Sequence, residues 1–225
     1  MNAVRQIPLI LAPMPPASLD SFVVGANAAV LDALRSLAGP TYLWGPSGSG
    51  KSHLLAALAH QRHARGERVG WFDAASDLPW TFDETWSLLL FDACEAFDAA
   101  RQQAAFALHI EAHTHGVPVL AAGSLPPIDL PLREDLRTRI AWGTVYALAP
   151  LAEAETRAAL RREADRRGIF LSDEVMDYLL SRFARDLKHL MALLDRLDHF
   201  ALAEKRAVTV PLLRRMFEEE GADLV

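Results

Sequence analysis

Apolar and polar positions along the chain change rhythm twice, and the changes divide it. Residues 1–18 have no period. Pro8, Pro13, Pro15 and Pro16 interrupt them, and since proline lacks a backbone donor and clashes with the preceding turn, the stretch reads as an extended tail. From Asn27 to Leu37 apolar residues recur at helical spacing until Gly39-Pro40. Short β-prone runs then alternate with helical stretches. The pattern predicts strands over Thr41–Trp44, Val69–Phe72, Ser87–Phe91, Val117–Ala122 and Thr144–Leu148. It predicts helices from the glycine-rich turn through His63, closed by Gly66, and over Ala99–His115, closed by Gly116. Such alternation implies a parallel sheet covered on both faces. After Pro150 the period becomes helical throughout, over Glu153–Arg167, Ser172–Arg182, Arg185–Glu204 and Pro211–Glu219. Ala207–Val210 is the one β-prone run among them. Ser172 reads as a helix start and Pro211 as a first helical residue. The expected organisation is an extended tail (1–18), an α/β domain (19–149) and a small all-helical domain (150–225).

The candidate chemistry lies where the first strand meets the following helix. Gly45-Pro46-Ser47-Gly48-Ser49-Gly50-Lys51-Ser52 fits G-x-x-x-x-G-K-[ST] without a gap. Glycines allow a tight turn whose N–H groups point at phosphate oxygens. A lysine reaches the β- and γ-phosphates, the Ser52 hydroxyl is placed to ligate Mg²⁺, and the helix N-terminus adds its dipole. ADP or ATP with Mg²⁺ is the ligand this pattern implies. A second magnesium anchor belongs at the end of a neighbouring apolar strand, and Leu88-Leu89-Leu90-Phe91-Asp92 supplies it in Asp92. Many hydrolysing P-loop enzymes carry a further acid at the next position to orient water. Here that residue is Ala93, and Glu95, two positions further on, is expected to point elsewhere. Weak hydrolysis or none by the chain itself is the expectation.

Composition narrows the alternatives. The 225 residues are 51% hydrophobic, enough for one ordinary domain and a smaller one. A net charge of −6 disfavours nucleic acid as a direct ligand. The local basic clusters, Arg161, Arg162, Arg166 and Arg167, then Arg182, Arg185 and Lys188, read as solvated helix faces. No apolar run approaches the roughly 20 residues of a membrane span, and the N-terminus lacks the pattern of a secretory signal. A single cysteine, Cys94, forms no intrachain disulfide. A cytoplasmic protein without membrane attachment is expected. His109 and His113 stand four apart on a helix, but with no third ligand in view they read as a solvent-facing pair. Cys94 reads as a buried small residue, and Trp71, Trp80, Trp86 and Trp142 as core or interface.

These motifs resemble the DnaA-like AAA+ proteins over nearly the whole length. The fold this resemblance implies is α/β, an AAA+ P-loop NTPase core with a parallel sheet followed by a small all-helical lid domain. Leu19–Asn27 resembles the family's adenine-side segment, with Val23 and Val24 bordering the base. Gly45–His53 is similar to its phosphate loop, including His53 after the serine. Val119–Pro127 resembles the first sensor strand and its double-proline exit, with Ser124 where the family usually has aspartate. Leu136–Gly143 is similar to the box that carries an arginine finger, which falls on Arg139 and points at a nucleotide on a neighbouring subunit. Arg185–Leu190 resembles the second sensor, with Lys188 in place of the usual arginine; lysine keeps the charge but loses the planar two-pronged grip. Gln6-Ile7-Pro8-Leu9-Ile10 resembles the peptide with which the family's shorter regulatory members dock on the DNA polymerase III β sliding clamp. There Ile7, Leu9 and Ile10 enter an apolar groove and Gln6 bonds at its rim.

The resemblance to those shorter members implies a negative regulator of replication initiation. Holding a nucleotide, ADP on this reading, and tethered to the clamp, it promotes ATP hydrolysis by DnaA by lending Arg139. The alternative is a self-sufficient AAA+ ATPase such as a helicase-loader-like motor, against which Ala93, Ser124 and Lys188 all count. DnaA's helix-turn-helix DNA-binding domain is not expected, since the sequence ends at Val225, and no direct sequence-specific DNA binding is foreseen. Monomer and homodimer both remain open.

Overall fold

Five strands, β1 (Thr41–Trp44), β2 (Arg68–Phe72), β3 (Trp86–Phe91), β4 (Val119–Gly123) and β5 (Thr144–Ala147), form one sheet in the order β2-β3-β4-β1-β5. Every pairing is parallel. The computed structural model describes residues 17–182, 187–204 and 206–220, apart from the side chains of Lys188 and Glu220. The chain divides between Pro150 and Leu151 into two compact units.

In the first unit the strands read as continuous apolar runs because both faces of the sheet are covered. Leu43, Leu88, Leu90, Leu120 and Ala122 face one core, completed by Leu31 and Leu34 of α1 (Ala28–Arg35) and Leu54, Leu55 and Leu58 of α2 (Lys51–Ala64). Their neighbours Tyr42, Leu89, Phe91, Val119 and Ala121 face the other, filled by Leu108 of α3 (Ala99–Thr114) and by Leu136 and Ile140 of α4 (Glu134–Ala141). β4 begins two residues later than the periodicity predicts. Gly116 is left-handed, with φ 68°, and the Val117 N–H turns back to Ala112 O at 2.8 Å, so it closes α3 instead of opening the strand.

The second unit is helical: α5 (Glu153–Arg166), α6 (Asp173–Arg182), α7 (Leu187–Glu204) and α8 (Val210–Glu220). Leu160, Leu179, Leu193, Leu197, Leu213 and Met216 form its separate core. Ser172 does start α6, its Oγ accepting from the Val175 N–H at 3.3 Å. Ala207–Val210 is not a strand: no other strand is present among the described residues of this unit to complete a ladder, and Thr209 O accepts from the Leu213 N–H at 3.0 Å as the first bond of α8. Val210 is therefore the first helical residue and Pro211 the second. Part of the expected solvated basic face is locked in ion pairs. Arg167 is largely buried between Glu163 and Asp195, and Arg161 pairs with Asp173 at 2.5 Å. Among the described residues no helix is long and apolar enough to cross a membrane.

Candidate nucleotide site

The phosphate-binding pattern falls at the C-terminal edge of the sheet, the edge where parallel α/β sheets hold ligands. β1 ends at Trp44, the loop runs from Gly45 to Gly50, and α2 begins at Lys51. Two glycines are required by close approach. A Cβ at Gly45 would stand 2.5 Å from Leu148 O, and one at Gly50, whose φ is 95°, would stand 2.6 Å from Phe22 Cε2. Lys51 folds back over the loop, its Nζ donating to Gly45 O at 2.7 Å and Pro46 O at 2.9 Å. Burial pulls the lysine pKa down, while the carboxylates of Glu95 and, less strongly, Asp92 push it up. A phosphate would give that ammonium a stronger partner than two neutral carbonyls. The loop's geometry, its lysine and the first turn of α2 fit a bound nucleotide phosphate; Ser52, exposed on that first turn, and Asp92, at the end of β3, would hold Mg²⁺.

The adenine-side segment is tied to this loop. His53 Nε2 lies 3.1 Å from Ser18 O and 3.3 Å from Ser21 Oγ, and its ring centroid is 5.9 Å from that of Phe22. Val23 and Val24 follow, both half-buried, Val24 packing on the core beneath α2. Asn27 fixes the far end of the segment. It is buried, donates from Nδ2 to Ala149 O at 3.0 Å and accepts the Ala149 N–H at 2.9 Å. Neither the Asn27 brace nor the seat of Phe22 over Gly50 was foreseen, because each joins residues with no local pattern.

β3 delivers Asp92, whose Oδ1 accepts the Ala93 N–H at 3.0 Å. Ala93 then takes a left-handed conformation, with φ 51° and ψ 52°, and the chain enters a 3₁₀ turn over Cys94–Ala96. Cys94 is fully buried, and burial drives its thiol far above the usual range, as expected for a packing residue. Glu95 does not point away from the site. Its Oε2 is shielded from solvent without a hydrogen-bond partner among the described residues, and it lies 2.9 Å from where a Cβ on Gly123 would stand. The sharp turn at Ala93, invisible in residue spacing, causes the difference. Gly123 ends β4 and is followed by the half-buried Ser124. The Tyr42 hydroxyl pins the same exit by donating to Leu125 O at 2.7 Å.

Arg139 lies elsewhere. α4 carries it towards β5, whose first residue Thr144 pairs with Thr41 at the N-terminal edge of the sheet. Its own phosphate loop leaves the opposite end of β1, roughly 10 Å away along the strand. Arg139 has no carboxylate partner among the described residues; its guanidinium stacks over the Trp142 ring at 4.9 Å. His113 packs on the same indole with ring centroids 5.8 Å apart. The solvent-facing reading holds for His113 but not for His109, which is 3% exposed, with Nδ1 unpartnered. Burial, aided by the charges of Arg139 and His113, lowers the His109 pKa to about 4. Position 109 lies on the core side of α3, beside buried Leu108 and Ala112. Of the tryptophans, Trp80 is buried and Trp71 and Trp86 pack against the cores, whereas Trp142 is 67% exposed. Residues Gln6, Ile7, Leu9 and Ile10, the pair Arg185-Asp186 and the Lys188 side chain lie outside the described residues.

Fold and loop together are those of an AAA+ P-loop NTPase core followed by a helical lid. The family model for the Hda lid domain matches residues 153–217. Among solved structures, domain III of the Thermotoga maritima replication initiation protein DnaA superposes with a TM-score of 0.74 at 18% identity, over 92% of this chain and 98% of that one. AMPPCP-bound DnaA from Aquifex aeolicus gives 0.64 at 21% identity, over 80% of this chain and 64% of that one. The Thermotoga maritima RuvB Holliday junction branch migration motor gives 0.66 at 16% identity, over 93% and 74% respectively. The chain thus has the α/β fold of DnaA domain III, followed by a helical domain that matches the Hda lid model over residues 153–217.

Proposed function

We propose that this protein is a nucleotide-dependent negative regulator of replication initiation that acts on DnaA. The phosphate loop from Gly45 to Ser52 holds ADP, with Ser52 and Asp92 on Mg²⁺, Val23 and Val24 beside the base, and Ser124 and Lys188 as its sensors. The tail residues Gln6, Ile7, Leu9 and Ile10 dock on the β sliding clamp. In that state the protein binds ATP-bound DnaA and places Arg139 against DnaA's γ-phosphate, where a guanidinium offsets the charge that develops as the phosphoryl group leaves.

The observation that carries this reading is the placement of Arg139. It stands at the edge of the sheet opposite its own phosphate loop, without a carboxylate ion-pair partner among the described residues and supported by Trp142. An arginine so placed serves a second molecule better than its own. Support for DnaA as that molecule comes from the Hda match in the lid and the DnaA-type core. The test mixes the protein with ATP–DnaA and DNA-loaded clamp and measures ADP production. Stimulation that disappears in Arg139→Ala is expected; stimulation that survives the substitution sinks the proposal. Gln6→Ala with Leu9→Ala is expected to abolish binding to immobilised clamp while nucleotide affinity stays unchanged.

A further inference from the structure

We infer that Glu95 is the acid that orients the attacking water on a bound nucleoside triphosphate, so that the chain converts its own ATP to ADP despite Ala93. The inference rests on the nucleotide-binding part of the reading above and supplies the origin of the ADP state it requires.

Three observations converge on Glu95. The first is the backbone. A left-handed alanine is strained relative to an ordinary conformation, and strain of this kind concentrates at functional sites. Here it turns the chain out of the line of β3 and into the 3₁₀ turn that buried Cys94 anchors. Glu95 is thereby carried back over the C-terminal edge of the sheet. The second is the carboxylate. A shielded oxygen without a partner loses its hydration for nothing in return. A water held between Glu95 and a γ-phosphate would supply the missing hydrogen bond. The third is the surroundings. Gly123, without a side chain, leaves the space that the Tyr42 hydroxyl and Glu95 Oε2 share, and Ser124 follows it. Lys51 is also within its electrostatic reach, and the charge of Glu95 acts on it more strongly than that of Asp92. Glu95 thus lies against the end of β4 and within electrostatic reach of the phosphate lysine, on the side of the sheet where a nucleotide's γ-phosphate would sit.

The step balances without a further reactant. The water oxygen bonds to the γ-phosphorus in line with the β–γ bridging oxygen. The bridging P–O bond breaks and its electron pair stays on ADP. The water's proton passes to the Glu95 carboxylate and from there to the released phosphate, giving ADP and inorganic phosphate.

The experiment compares the full chain with Glu95→Gln, which keeps the shape and removes the base. ATP with Mg²⁺ is titrated by calorimetry, conversion of bound γ-labelled ATP is followed in single turnover, and the nucleotide that co-purifies is identified. The variant is expected to keep its ATP Kd within about threefold, to lose conversion by about 100-fold or more, and to co-purify with ATP where the parent protein carries ADP. Unchanged conversion in the variant overturns the inference. So does a loss of affinity in step with the rate, which would reduce Glu95 to a support for Lys51. A parent protein that binds ATP without converting it overturns the inference alone. One that binds no ATP overturns the nucleotide reading with it.

Discussion

The two edges of the sheet are built on opposite plans. At the C-terminal edge the groups turn inward: Lys51 bonds to its own loop, Glu95 is shielded, and Phe22 closes over Gly50. At the N-terminal edge the charged group, Arg139, is half-buried against an exposed indole, with no carboxylate paired to it among the described residues. One edge is suited to holding a ligand and the other to being presented. Both are made from the same five strands, so the difference lies in what the connections carry. A loop rich in left-handed glycine follows β1, and a short helix with two buried anchors precedes β5.

The sharpest way to break this comparison is Arg139→Ala. If the edges act separately, DnaA hydrolysis stimulated by the protein falls by about 1,000-fold, the scale of a trans arginine finger, while ATP and ADP affinity of the protein itself does not change. A loss of the protein's own nucleotide affinity would place Arg139 at its own site and end the comparison. The converse is Lys51→Ala. Removing a charged donor to phosphate is expected to weaken ATP binding by roughly 10- to 100-fold, read by calorimetry. Stimulation of DnaA falls with it only as far as occupancy falls, and is recovered at saturating nucleotide.

His109 tests how the presenting edge is built. Its folded pKa, about 4, lies below that of an unfolded histidine, 6.5, so at lower pH the unfolded chain takes up the extra proton first. Stability from this group is complete above about pH 6.5 and is lost as the pH falls towards 4, by up to about 3 kcal/mol. Denaturant titrations across this range are expected to show that slope in the parent protein and a shallower one in His109→Gln. Equal slopes would mean that His109 titrates as it does in the unfolded chain.

How much of this was legible in the sequence follows from physical range. β1 was read at its full extent, because four consecutive apolar or β-prone residues stand between Gly39-Pro40 and the phosphate loop. The loop itself was legible because each of its residues has a local reason. α4 escaped the periodic reading because only Leu136 and Ile140 are buried in its eight residues, too few to establish a period. The direction of Glu95 is not legible in the sequence, since it depends on one backbone angle at Ala93, a residue whose side chain does not announce φ > 0. The burial of His109 is set by how α3 packs on the sheet, which a four-residue spacing does not reveal. The Asn27 bridge to Ala149 spans 122 positions, beyond any local pattern.

The smallest expected effect sharpens the comparison most finely. Trp142 is 67% exposed, so burial alone gives little reason for a tryptophan there. Its role on this account is to hold the Arg139 guanidinium over its ring, with His113 packed on the same indole. An exposed cation–π contact contributes about 0.5–1 kcal/mol, which corresponds to a two- to fivefold effect. Trp142→Ala is therefore expected to reduce stimulation of DnaA by about that factor, through loss of orientation rather than of charge. Trp142→Phe should recover part of it, since a smaller ring still offers a face. Neither change should alter nucleotide affinity or the conversion attributed to Glu95, because both sit at the other edge of the sheet. A loss as large as that of Arg139→Ala would instead make Trp142 itself part of the surface that DnaA meets.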